Sequence, residues 1–182
     1  MIIAVVCGWP LSGKTTLARI LADDLDIAYV DIDEHVRLPV FKLPNPHPSN
    51  KEEMKMDGLQ MKWSYYLLYT AIDGYLEIGK SVIVTATFSR ARYWEPVVAS
   101  LAKYPEARFK VIWCRPNDSE SMIEERLSQR EFGVNYWSAV NSYERYKEIR
   151  DRYEPITLPH LLLDTSRSIG ECRAEAIGFL HS

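Results

Sequence analysis

MIIAVVCGWPLSGKTT, residues 1–16, is the stretch from which the arrangement of the remaining chain follows. Met1 to Cys7 form a run of apolar and β-branched residues, the pattern of a strand buried on both faces. Gly8-Trp9-Pro10-Leu11-Ser12-Gly13-Lys14-Thr15 then matches G-x-x-x-x-G-K-[ST], the phosphate-binding loop. From Thr16 to Ala22 the spacing turns helical, with Leu17, Ile20 and Leu21 on one face. A strand, a glycine-bounded loop and a helix start, in that order, are the setting the motif requires. Gly8 and Gly13 can adopt backbone conformations closed to residues with a Cβ, so that successive amide N–H groups converge on an anion. The helix behind them adds unpaired N–H groups and the positive end of its dipole. Lys14 is expected to reach the β- and γ-phosphates of a nucleotide, and the Thr15 hydroxyl to ligate Mg²⁺.

Around this loop the composition is ordinary. The 182 residues amount to one domain, large enough for a proper core. A hydrophobic content of 47% beside 26% charged residues describes a soluble globular protein. A formal net charge of −3 offers no general attraction to nucleic acid or to an anionic membrane. Cys7, Cys114 and Cys172 are far apart and odd in number, and no metal-ligand spacing is present. They are expected to be buried free thiols in a reducing compartment. The first apolar run is too short to span a membrane and lacks the basic start and cleavage site of a secretion signal. The expected location is the cytoplasm.

Four further strands are expected: DIAYVD at 26–31, SVIVTA at 81–86, RFKVIWC at 108–114 and HLLLD at 160–164. Asp31 and Asp33 fall at the C-terminal end of the second strand, where open α/β sheets place their ligands. If extension continues, the two side chains face the same way. One then accepts a proton while the other supports Mg²⁺, or either simply caps the next helix. The third strand ends Thr85-Ala86-Thr87, where many phosphate-loop proteins carry a metal-supporting Asp. That passes the acid work to Asp31 and Asp33.

The segments between strands are less legible. Leu38 to Asn50 contains Pro39, Pro44, Pro46 and Pro48, which excludes regular structure and predicts a stiff loop with a solvated His47. The next 30 residues read as a helical region, broken near Gly58 or Gly74. Leu59, Trp63, Tyr66, Leu67, Ala71 and Tyr75 follow its spacing, and most of its aromatic residues are expected in the core. A helix starting at Phe88 carries Arg90 and Arg92 just beyond the sheet edge, where a guanidinium either clamps a substrate anion or is merely solvated. Asp118 is the expected N-cap of a helix with Met122, Ile123 and Leu127 on its apolar side. Arg126 and Arg130 share a face of that helix ahead of Glu131-Phe132-Gly133. They are expected to close over phosphates, the alternative being surface ion pairs such as Glu125–Arg130 or Glu124–Arg126. A helix over 135–153, rich in both charge signs, reads as mostly solvated. The last helix places Ile169, Cys172, Ala176, Ile177 and Leu180 on one face.

Five short strands separated by helices, with the phosphate loop after the first, imply a parallel sheet covered on both faces, an α/β architecture. In GWPLSGKTT (8–16), VDIDEHVR (30–37), SVIVTATFSRARYW (81–94), ERLSQR (125–130) and LLLDTS (161–166) the chain resembles the small P-loop kinases. In particular it resembles the zeta-toxin, polynucleotide-kinase-like and chloramphenicol-phosphotransferase-like group. The resemblance implies a three-layer P-loop NTPase fold with sheet order 2-3-1-4-5. It also implies one domain over 1–182, with a substrate-side insertion at about 38–79 and a lid at about 118–135. Its activity would use ATP and Mg²⁺ to transfer the γ-phosphoryl group to a hydroxyl.

By similarity, Asp33 accepts the hydroxyl proton and Arg37 contacts substrate or phosphate. Arg126 and Arg130 neutralise phosphate charge, and Thr165 and Arg167 lie beside the adenine. The catalytic set is then Lys14, Asp33, Arg126 and Arg130, with Asp33, Arg37, Arg90 and Arg92 on the acceptor side. Gly8 through Thr16 cradle the nucleotide, and Thr15 with Asp31, indirectly, serves Mg²⁺. Thr85 departs from the group, which commonly has Asp there, and the spacing from Asp33 to Arg37 is one residue longer than the group's.

The expected acceptor is a small molecule or a nucleotide. One alternative is a polynucleotide 5′-hydroxyl kinase, which the acidic net charge disfavours. The other is an ATP-binding switch or assembly factor with little turnover, for which the missing third-strand Asp speaks. No membrane partner is indicated, and the oligomeric state is open.

Overall fold

The computed structural model describes residues 1–41, 51–117, 119–129 and 140–182. Strand β1 (Ile2–Gly8) is central because nothing in it needs water: Ile3 to Cys7 are completely buried. It pairs in parallel with β3 (Val82–Thr85) on one side and β4 (Arg108–Arg115) on the other. The edges are β2 (Ala28–Asp31) and β5 (Leu161–Asp164), which gives the expected parallel order 2-3-1-4-5. The crossovers carry α1 (Lys14–Leu25), α2 (Leu38–Phe41), α3 (Lys51–Glu77), α4 (Glu95–Lys103), α5 (Glu120–Ser128) and α6 (Tyr143–Arg150). The chain closes with α7 (Ile169–His181).

Alternation along β1 divides the core into two layers. Ile3, Val5 and Cys7 face Tyr65, Leu68, Ile72 and Leu76 of α3 and Val97 of α4. Ala4 and Val6 face Leu17, Ala18 and Leu21 of α1 and Cys172, Ala176 and Leu180 of α7. Helices therefore cover both faces, as a parallel sheet requires. The three cysteines are free and buried. Enclosure pushes the Cys114 thiol up to about 12 and the Cys7 thiol well above its ordinary value, so both are inert core groups.

Several expectations are corrected. Helix α3 runs unbroken through Gly58 and Gly74 for 27 residues. Its inward face is Tyr65, Leu68, Ile72 and Leu76, while Leu59, Trp63 and Tyr66 are 44%, 53% and 60% exposed. Pro39 does not exclude regular structure, because it sits in the first turn of α2 where its missing N–H has no helical partner to lose. No helix starts at Phe88. That residue has φ 48, its N–H bonded to the Tyr65 hydroxyl at 2.9 Å, and α4 follows a tight turn at Ala91–Tyr93. Helix α6 starts at Tyr143, capped by Ser142, rather than at 135. Ser119 occupies the N-cap position of α5. Asp118, Arg130, the proline segment from 42 to 50 with His47, and residues 131–139 lie outside the described residues.

A third, smaller cluster ties the phosphate loop to the following helices. Trp9 and Leu11 pack with Ile123 of α5, Tyr146 of α6 and Val140 ahead of α6. The Trp9 ring meets Trp113 and Tyr146 edge-on, each at 6.4 Å, and the Arg115 guanidinium lies 5.1 Å over it. Trp9→Ala is expected to lower stability by about 3–5 kcal/mol, read as a lower urea midpoint at unchanged slope. Loss of this support should also weaken nucleotide affinity in the same preparation.

Candidate active site

The loop between β1 and α1 has the backbone its sequence demanded. At Gly8, φ is +147, and a Cβ would stand 2.2 Å from the Cys114 carbonyl oxygen and 2.9 Å from Ser12 Oγ. Gly13 has φ +75 and caps α1. Leu11, which has a Cβ, is also left-handed at φ 62, local strain of the kind that gathers at functional sites. Its carbonyl receives the Arg126 guanidinium at 2.7 Å, and the other arm of Arg126 donates to the Thr165 carbonyl at 2.6 Å. Arg126 therefore straps α5 across the loop and the exit of β5, instead of pairing with Glu124. Lys14 Nζ donates to the Trp9 carbonyl at 3.3 Å. The Tyr153 hydroxyl donates to the Gly8 carbonyl at 2.9 Å, a support that no local pattern in the sequence announces.

The acids at the end of β2 do not continue in extension. The chain turns at Ile32 into a wide helical turn, Ile32–Arg37, and Asp31 caps it. Asp31 Oδ1 accepts from the N–H groups of Asp33 at 2.8 Å and Glu34 at 2.9 Å. Its other oxygen, Oδ2, accepts from Thr85 Oγ1 at 2.5 Å and from Thr15 Oγ1 at 3.2 Å. Asp31 and Thr85 are register partners, so the β2 carboxylate reaches the Thr15 hydroxyl across the strand that lacks one. Capping and the link to Thr15 are thus performed by the same side chain. Tyr29 joins the group, 3.4 Å from Asp31 Oδ2, its hydroxyl pushed up first by burial and then by the Asp31 charge.

Asp33 points elsewhere. Its Oδ1 accepts from the buried Arg37 at 3.0 Å. The Asp33 side chain is 43% exposed at a cavity mouth, yet protein rings its other sides. That enclosure raises its pKa above the ordinary carboxylate value, Arg37 opposing and Asp31 adding to the rise.

Two cavities flank the loop, and Lys14 lines both. The first, about 620 Å³, is bounded by Gly13, Thr15, Thr16, Arg126, Thr165 and Arg167. The second, about 400 Å³, is bounded by Asp33, Arg37, Arg90 and Arg92 together with Thr87 and Tyr153. Of the expected nucleotide residues, Leu11, Gly13, Thr15, Thr16, Arg126, Thr165 and Arg167 line the first cavity and Pro10 the second, where the expected acceptor residues Asp33, Arg37, Arg90 and Arg92 also lie. Arg145 and Arg152, read from the sequence as solvated charge, also line the second cavity. Arg90 and the Ala91 N–H are both held by Glu154, at 3.1 and 2.6 Å. Arg167 pairs with Glu175 at 2.6 Å on the rim of the first cavity.

The chemistry of these groups fits a magnesium nucleotide. Ser12 Oγ and Thr165 Oγ1 are buried without hydrogen-bond partners, and both belong to segments bordering the first cavity. Thr15 and Asp31 offer the hard oxygen donors that Mg²⁺ takes when it keeps its waters and bridges phosphates. Among the described residues no cluster of three or more His, Cys, Asp or Glu forms a self-contained metal cage.

A family model described as an AAA domain matches residues 3–156, from β1 to beyond α6. The chain belongs to this AAA domain family. No curated protein matches it. Among solved structures, this AAA domain is similar to a sugar kinase from Janibacter sp., 18% identical with a TM-score of 0.67 over 99% of this chain and 94% of that one. The APS kinase of Mycobacterium tuberculosis, solved with AMPPNP and APS, is 18% identical with a TM-score of 0.61, covering 100% and 97%. Kti12 of Chaetomium thermophilum, solved with ADP-AlF3, is likewise 18% identical at 0.61, covering 99% of each. At these identities the likeness establishes the fold alone, a three-layer P-loop NTPase fold. No helix among its described residues is long and apolar enough to cross a membrane.

Proposed function

We propose that the chain is a cytoplasmic ATP-dependent phosphotransferase that moves the γ-phosphoryl group of Mg-ATP to a hydroxyl of a small molecule or nucleotide. Within the P-loop kinases it falls in the zeta-toxin, polynucleotide-kinase-like and chloramphenicol-phosphotransferase-like group that its sequence resembles. The observation that carries this reading is the position of Lys14 on the wall shared by both cavities, with Asp33 opening only onto the second. A nucleotide-binding switch needs the first cavity. A transferase needs an acceptor site beside it and a carboxylate facing that site.

Bound Mg-ATP would supply the transferable phosphoryl group and much of the charge compensation. The protein's share is positioning. Gly8 through Thr16 hold the phosphates with backbone N–H groups and the start of α1. Lys14 places a positive charge where phosphoryl oxygens gather charge in transfer. Thr15, steadied by Asp31, would hold Mg²⁺, and Thr165 and Arg167 would border the nucleotide's outer end. Asp33 orients the acceptor hydroxyl and takes its proton at a carboxylate oxygen, and Arg37 fixes that carboxylate in place. Arg126, which donates to the Leu11 and Thr165 carbonyls, would turn to phosphate oxygens once nucleotide is bound. Arg130, outside the described residues, is assigned the same task from sequence, within a lid at about 118–135.

The test is transfer from γ-labelled ATP to a panel of alcohols, sugars and nucleosides, with and without phosphate groups. A labelled low-molecular-weight product is the expected result. Labelled phosphate alone would return the chain to the switch reading.

A further inference from the structure

The second cavity has a charge imbalance that hydroxyl phosphorylation alone does not require. Its described lining includes Lys14, Arg37, Arg90, Arg92, Arg145 and Arg152 against one carboxylate, Asp33. The whole chain is acidic, with a formal net charge of −3, so this concentration of cations runs against the overall composition. Three of the arginines are offset where they stand. Arg37 is held by Asp33 at 3.0 Å, Arg90 by Glu154 at 3.1 Å and Arg145 by Glu148 at 2.6 Å.

Two are not. Arg152 approaches Glu148, already engaged by Arg145, only to 3.9 Å, beyond hydrogen-bond reach. Arg92 forms no ion pair among the described residues; it meets the Tyr93 hydroxyl at 3.2 Å and the ring at 5.2 Å. These guanidinium groups reach the cavity from separate elements, the turn before α4 and the segment after α6. Both residues are exposed, so their planar forks of N–H donors can turn to the oxygens of a phosphate or carboxylate, and an anion in the cavity would offset the gathered positive charge. Apolar side chains, among them Ile32, Met61, Val140 and Ile149, complete the wall and can seat a carbon skeleton.

We infer that the acceptor carries an oxyanion of its own, of the phosphomonoester kind, bound by Arg92 and Arg152 while its hydroxyl meets Asp33. The inference rests on the kinase reading above and narrows its acceptor from any alcohol to a small phosphorylated one. Arg92 and Arg152 become specificity residues, with Tyr93 fixing the first of them.

The probe is inorganic phosphate, titrated calorimetrically into protein saturated with AMPPNP and Mg²⁺, so that the phosphate loop is already filled. Saturable, salt-sensitive binding is expected, weakened about tenfold or more in Arg92→Gln and in Arg152→Gln. Arg173→Gln, which removes a remote pair with Asp24, should leave it unchanged. Glycerol 3-phosphate is expected to displace the phosphate, and glycerol is not. Absence of phosphate binding to the AMPPNP-loaded protein, or binding indifferent to both substitutions, overturns the inference and leaves the kinase reading intact. Stronger displacement by a 5′-hydroxyl oligonucleotide than by glycerol 3-phosphate overturns it in favour of a polynucleotide acceptor. Failure of AMPPNP to bind at all removes the kinase reading, and this inference with it.

Discussion

Asp33→Asn is expected to lower phosphoryl transfer by about 10²–10⁴-fold while leaving ATP affinity unchanged. The amide keeps the size of the carboxylate and still accepts from Arg37 through its oxygen, so positioning is largely preserved and proton acceptance is lost. ATP affinity is spared because Asp33 opens onto the second cavity and not the first. The pH profile supplies a second readout. Enclosure holds the Asp33 pKa above the ordinary carboxylate value, so the wild-type rate should fall on the acid side at a higher pH than an exposed aspartate would give. The Asn variant should lack that limb. Arg37 lowers the Asp33 pKa through its charge and its hydrogen bond, so Arg37→Gln should move the limb further up in pH.

The sign for stability is opposite to that of an ion-paired surface carboxylate. Between the unfolded and the raised folded pKa the native state binds more protons, so stability falls as pH rises through that window. Asp33→Asn removes this cost. The variant also takes the carboxylate from the buried Arg37, so the expected pair of results is loss of transfer together with loss of that pH dependence of stability. Unaltered transfer to the true acceptor would take Asp33 out of its role.

The sheet was legible because its information is local. Ile3 to Cys7, Val82–Thr85 and Val111 with Ile112 are apolar runs that a parallel strand buried on both faces produces, and Gly8 to Thr15 is a contiguous motif. Helix α3 was harder. Its 27 residues carry aromatic side chains all round, so Trp63 and Tyr66 compete with Tyr65 and Tyr69 for any assigned face, and only packing against Val5 and Cys7 settles the choice. The two acids after β2 were found but misjudged in geometry. Period-two alternation holds while the strand lasts, and Asp31 ends it by capping the next turn.

Residues gathered from distant segments left no signal at all. Tyr153 reaches the Gly8 carbonyl across 145 positions, and Arg152 shares a cavity wall with Arg92 through folding alone. The Thr85 departure shows the same limit from the other side. Its hydroxyl, 2.5 Å from Asp31, turns an apparent defect of the third strand into a relay toward Thr15. The sequence marked the missing acid there and named Asp31 beside it, but only the register of β2 against β3 explains how a residue one strand further out reaches the Thr15 hydroxyl.

Lys14→Ala is expected to have the largest effect of any single change, reducing transfer by at least about 10³-fold and weakening ATP binding with it. The fold should survive. Leu17 still donates to the Gly13 carbonyl at 3.0 Å, and Leu17, Ala18 and Leu21 still bury the inner face of α1, so the thermal midpoint should stay near that of wild type. The Lys14 ammonium donates to the Trp9 carbonyl, a neutral oxygen, at 3.3 Å. Exchange of that carbonyl for phosphate oxygens strengthens the contact, and it strengthens further as charge shifts during transfer. The loss should therefore fall more heavily on kcat than on the KM for ATP. Lys14→Arg should not restore activity, because a planar fork cannot occupy the place of a compact ammonium on the wall between two cavities. Asp33→Asn and Lys14→Ala then separate the two halves of the site: the first keeps nucleotide and loses transfer, the second loses both. If Lys14→Ala still transferred phosphate at the wild-type rate, the nucleotide would have to bind somewhere other than the loop between Gly8 and Thr15.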